Sequence, residues 1–66
     1  MNSKQEILDH LKSPEGLEEL TDLAKEGHTI SDIANHYGIG RGTIYDWSKR
    51  HPEIMSAISD GKKNIR

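Results

Sequence analysis

Hydrophobic residues recur along the chain at helical spacing, in short groups set apart by cap and turn residues. Ile7, Leu8 and Leu11 form the first group, and Ser3 with Glu6 three residues on has the spacing of a capping box, so a helix is predicted over residues 4–12. Ser13-Pro14-Glu15 repeats the start signal: a cap residue, a proline where its missing N–H costs nothing, and an acid near the positive helix end. Leu17, Leu20, Leu23 and Ala24 then mark an apolar face, and Gly27 is placed to end this second helix, residues 14–26, in a left-handed conformation. Thr29 and Asp32 form the next cap pair, ahead of Ile30, Ile33, Ala34 and Tyr37, which predicts a two-turn helix over 30–37 that stops at Gly38. Ile44, Trp47 and Ser48 share one face of a fourth helix, residues 41–50, broken at His51 ahead of Pro52. Ile54, Ala57, Ile58 and Gly61 define a fifth, residues 52–62. Valine and phenylalanine are absent and no stretch alternates as strands do, so the fold class is all-α: a small bundle of four to five short helices.

The third and fourth helices, joined by Gly38-Ile39-Gly40, have the spacing of a helix-turn-helix. Ile39 reads as an apolar plug between them, and the small Ala34 as the point of closest approach. With Ile44 and Trp47 turned inward, the other side of residues 41–50 carries Gly42, Tyr45, Asp46 and Lys49, flanked by Arg41 and Arg50. A major groove about 12 Å wide admits one such helix. Arg41 suits guanine or phosphate, the hydroxyls of Thr43 and Tyr45 suit base edges, and Lys49 and Arg50 suit the backbone. Gly42 lets the helix backbone come close to DNA, while Asp46 either accepts from a cytosine amino group or pairs with Arg50 four residues on. Thr29 and Ser31, at the start of the third helix, add hydroxyls and amides for a phosphate. By helical phase Trp47 belongs to the core rather than to a base-stacking surface.

Charge sharpens this picture. The net charge is −2, but residues 1–36 hold eight acids against three bases, while residues 37–66 hold six bases against three acids. From charge alone two readings stand: a basic end offered to a polyanion with the acidic end kept away, or two ordinary solvated helix surfaces. The acidic face of the second helix, with Glu18, Glu19, Asp22 and Glu26, is either solvated surface or the docking face of a protein-interaction module.

Other chemistries find little support. The histidines, His10, His28, His36 and His51, have no cysteine partners and no i, i+3 or i, i+4 spacing, so neither a metal site nor a cofactor is expected. With no nucleophile motif, no P-loop and no catalytic residue in prospect, the chain is not expected to be an enzyme. No apolar run exceeds two residues, which leaves neither a transmembrane helix nor a signal-peptide core, and a cytoplasmic location is expected. Residues 1–66 read as a single domain, expected to be the N-terminal part of a longer chain, since Asn64-Ile65-Arg66 shows no stop logic.

Residues 26–47, EGHTISDIANHYGIGRGTIYDW, resemble the helix-turn-helix of DNA invertases, resolvases and transposases, with Ala34, Gly38, Ile39, Ile44 and Trp47 at the small, turning and apolar positions. With Tyr45, Trp47, His51-Pro52-Glu53-Ile54, Ala57 and Gly61-Lys62-Lys63 added, the chain is similar to the N-terminal DNA-binding domain of phage small terminase subunits. That resemblance implies recognition of double-stranded viral DNA for packaging in the bacterial host cytoplasm. It also implies a homo-oligomer built through a region beyond residue 66, and a terminase large subunit as partner. The wider resemblance implies instead a transposase, resolvase or transcription-regulator domain. Gly40 and Gly42, where such sequences carry serine or another polar residue, and the acidic N-terminal half depart from the pattern, so weak affinity is expected from one copy.

Overall fold

Local signals set each helix boundary. In the computed structural model, which describes residues 3–64, the chain forms α1 (Lys4–Lys12), α2 (Pro14–Lys25), α3 (Ile30–Tyr37), α4 (Arg41–Arg50) and α5 (Pro52–Lys63). The fold is all-α, with no strand among the described residues. Ile65 and Arg66, on which the expectation of a continuing chain rests, lie outside those residues. None of the helices is long and apolar enough to cross a membrane.

Ser13 serves two helices at once. It is the C-cap of α1 and the N-cap of α2; its hydroxyl donates to the His10 carbonyl and accepts from the Gly16 amide at 3.1 Å. At the head of α1, the Ser3 hydroxyl accepts from the Glu6 amide at 3.2 Å, so the first half of the expected capping box forms. Both halves form at α3: Thr29 Oγ1 accepts from the Asp32 amide at 3.2 Å, and Asp32 Oδ2 accepts from the Thr29 amide at 3.0 Å. α2 ends at Lys25, one residue short of expectation, because Glu26 is already the C-cap and Gly27, at φ 90°, turns the chain.

The core holds Leu11 of α1, Leu20 and Ala24 of α2, Ile33 and Ala34 of α3, Ile39 of the turn, Ile44 and Trp47 of α4, and Ile54, Ala57 and Ile58 of α5. α2 and α5 make the most extensive helix pair, although they lie far apart in sequence. Two features let them meet closely. The Thr21 hydroxyl shares its proton between the Leu17 carbonyl at 3.0 Å and the Ala57 carbonyl at 3.1 Å, and the bare Cα of Gly61 lies against Ala24 and the Thr21 carbonyl. α1 packs mainly on α2, where Gly16 sits on the backbone of His10 and Leu11. α3 and α4 pack on each other and are held from behind by α2 and α5.

One polar cluster ties α1, α2 and α3 together. Glu19 Oε1 accepts from the Tyr37 hydroxyl at 2.8 Å and lies 3.0 Å from His10 Nε2, while the His36 ring meets Tyr37 edge-on at 4.9 Å. The hydrogen bond from His10, then that from Tyr37, holds the Glu19 carboxyl below the usual glutamate range. Burial, and secondarily the neighbouring carboxylate, pushes the Tyr37 phenol well above its ordinary range. Glu19 is therefore a tertiary tie and not part of a free acidic face; Glu18, Asp22 and Glu26 remain exposed. Because the folded-state carboxyl titrates lower than an unfolded one, its contribution is present above the ordinary glutamate range and is lost as pH falls through the lowered value.

Candidate nucleic-acid interface

The turn between α3 and α4 decides which way α4 faces. Gly38 takes the left-handed conformation, φ 71° and ψ 31°, which a side chain would strain, and the Ile39 amide then donates back to the Ala34 carbonyl at 3.0 Å. That bond seats Ile39 in the core beside Ala34. Gly40 follows at φ −76° and ψ 152°, an extended conformation open to any residue, and no side chain caps the first amides of α4.

α4 is two-sided. Ile44, Trp47 and Ser48 are buried, and the Ser48 hydroxyl is satisfied by the Ile44 carbonyl at 2.9 Å. Arg41, Gly42, Tyr45, Asp46, Lys49 and Arg50 are exposed, and Thr43 is half-buried between the two sides. Among the described residues, Tyr45 is one of two large hydrophobic side chains left in solvent, at 51 % exposure; the other is Met55 of α5, at 50 %. Asp46 Oδ2 lies 3.2 Å from Arg50 Nε, so the carboxylate is engaged by its i+4 neighbour. Arg41 and Lys49 are in no ion pair among the described residues.

The expected site residues fall into two groups. Thr29, Ser31, Arg41 and Tyr45 meet around a shallow groove of about 430 Å³, formed where the start of α3 passes the exposed side of α4. Gly42, Thr43, Asp46, Lys49 and Arg50 do not line that groove and continue the exposed side of α4 beyond it. Four further residues line the groove that sequence reasoning did not assign to it: Gly27 and Ile30, and the ionisable His28 and Lys62. His28 lies between carboxylates, 3.6 Å from Glu26 and 3.9 Å from Asp32. Lys62 belongs to the last turn of α5, where local pattern accounts for it as a cation at a negative helix end; only the packing of α5 beside α4 reveals its neighbours. The Asp32 carboxyl is held below its usual range, first by the Thr29 amide and then by the Thr29 side chain.

Gly42 has open space where a Cβ would stand. Gly42→Ala is therefore expected to raise stability by about 1 kcal/mol through helix propensity alone, measured by thermal melting. A loss of stability would mean that the surroundings of Gly42 are more crowded than the fold places them.

Among known proteins, residues 18–50, half of the 66-residue chain, match the model of a family described as a helix-turn-helix domain. The matched segment runs from the second turn of α2 to the end of α4. No curated protein and no solved structure matches the chain.

Proposed function

The chain belongs to the helix-turn-helix domain family, and on that premise we propose that it binds double-stranded DNA, with α4 lying in the major groove. The observation that carries this reading is the sidedness of α4: an apolar side locked into the core, and an exposed side with Arg41 and Lys49, in no ion pair among the described residues, near its two ends. Those two residues are eight positions apart, roughly 12 Å along the axis. A major groove about 12 Å wide admits the helix itself, and cations near both of its ends are placed to meet phosphates bordering the groove. Tyr45 and Thr43 supply hydroxyls between them, and the Asp46–Arg50 pair keeps a carboxylate on this surface neutralised.

Within that class, the finer reading is recognition of viral DNA for packaging by a homo-oligomer that works with a terminase large subunit. It is supported by the similarity of residues 26–47 and of the His51–Lys63 region to phage small terminase subunits. A single helix-turn-helix offers limited contact, and several copies on one duplex would raise the overall affinity.

Fluorescence anisotropy with labelled duplexes tests the DNA reading. If about four phosphates are neutralised, log affinity falls with log salt at a slope of about −3 to −4. Arg41→Ala and Lys49→Ala are each expected to weaken binding while changing stability by less than about 0.5 kcal/mol, as exposed positions do. Absence of binding at low salt and high protein concentration would overturn the reading.

A further inference from the structure

We infer that Lys62, in the last turn of α5, is a DNA-backbone contact that binds a phosphate from the groove it shares with Arg41. The inference rests on the DNA reading above and extends the contact surface to a helix outside the family-matched segment.

Position comes first. The groove at the start of α3 is lined by Arg41 and Tyr45 from α4 and by Lys62 from α5, so two cations from different helices face one hollow. A second, adjoining hollow is lined by Tyr45 together with Met55, Ser59 and Lys62. Residues 55, 59 and 62 follow one stripe of α5 at i, i+4 and i+7, which brings that stripe alongside the exposed side of α4. Lys62 borders both hollows, while Lys63 borders neither.

Charge points the same way. Neither Arg41 nor Lys62 is in an ion pair among the described residues. Asp32, the acid in the first turn of α3, is occupied by the Thr29 amide. The hollow also carries the hydroxyl-bearing Thr29 and Ser31. Two free cations with hydroxyl donors beside them suit an anion, and an ammonium on a four-carbon stem serves a phosphate as a mobile point charge. The α5 backbone at this point is fixed, because Gly61, one residue earlier, is pressed against Ala24 and Thr21 of α2. A cation at a helix C-terminus stabilises the helix wherever it points. That role falls equally to Lys63, which makes Lys63 the internal control.

A phosphate contact carries no sequence information, so its loss should weaken binding alike on every duplex and lower the salt slope by about 1. The test is anisotropy on two duplexes of unrelated sequence across a salt series, using the 66-residue protein, Lys62→Ala, Lys62→Arg and Lys63→Ala, with circular dichroism melts to confirm folding. Lys62→Ala is expected to lose about 0.9 of the slope on both duplexes, so that a fourfold rise in salt weakens the wild type roughly 3-fold more than the variant. Lys62→Arg is expected to keep the slope, and Lys63→Ala to leave it unchanged. A wild-type slope in Lys62→Ala, or an equal loss in Lys63→Ala, overturns the inference while leaving the DNA reading intact. Absence of binding by the wild type overturns both.

Discussion

Trp47→Ala is expected to strip the domain of about 3–5 kcal/mol of its folding stability at 25 °C. Trp47 is only 8 % exposed and lies in the core formed by all five helices and the Ile39 turn. Truncating a buried aromatic to alanine costs about 3–5 kcal/mol, from lost transfer free energy and from the cavity left behind. A domain of this size has a total stability of roughly 3–10 kcal/mol, so one substitution removes a large share. Urea titration followed by circular dichroism measures it. A cost below about 1 kcal/mol would place Trp47 on the surface and reverse the assignment of faces on α4, because the exposure of Arg41 and Lys49 depends on the same helical phase.

The second large effect is expected at Gly61, where two levels of structure pull in opposite directions. Helix propensity favours alanine over glycine by about 1 kcal/mol, as it does at Gly42. At Gly61, however, a Cβ would overlap the Ala24 methyl and the Thr21 carbonyl, one of them backbone, so the helices must separate. Overpacking of this kind costs about 1–3 kcal/mol, and the packing term should win. Gly61→Ala is therefore expected to lower the melting temperature by roughly 4–8 °C for each kcal/mol lost, whereas the same substitution at Gly42 raises it. Ala24→Gly combined with Gly61→Ala should recover part of the loss by removing one of the two obstacles. An unaltered melt for Gly61→Ala would show that α2 and α5 do not approach as closely as their backbones indicate.

What the sequence made legible divides by range. Helix starts at Ser13 and Thr29, and stops at Gly27 and Gly38, follow from bonds made within a few residues, and short-range pattern is enough to read them. The pairing of Asp46 with Arg50 is an i, i+4 contact and was one of two readings for that reason. The burial of Ile44, Trp47 and Ser48 follows from helical phase. Longer-range relations left little local trace. Glu19 reads as one acid among several until folding brings it to His10 and Tyr37. Gly16 looks like an ordinary helix position, and Gly61 like one more member of the inward stripe of its helix, until α1 and α2 close in on them. Lys62 resembles any C-terminal cation until α5 is set beside α4. The groove joining Thr29, Ser31, Arg41 and Tyr45 likewise required the tertiary structure, because its residues come from separate helices.

The hydrogen bond from Thr21 to the Ala57 carbonyl has a consequence for what counts as a module here. The family-matched segment ends at Arg50, yet α2 finds its most extensive packing partner in α5, which lies beyond that end. α3 and α4 are thus the contents of a loop that α2 and α5 close, and the conformational entropy of closing it must be met before the reading helix is held rigid. Folding of the recognition element and docking of α5 should accordingly be one cooperative event. A graft limited to residues 18–50 would transfer the letters of the motif without the clasp that shapes it.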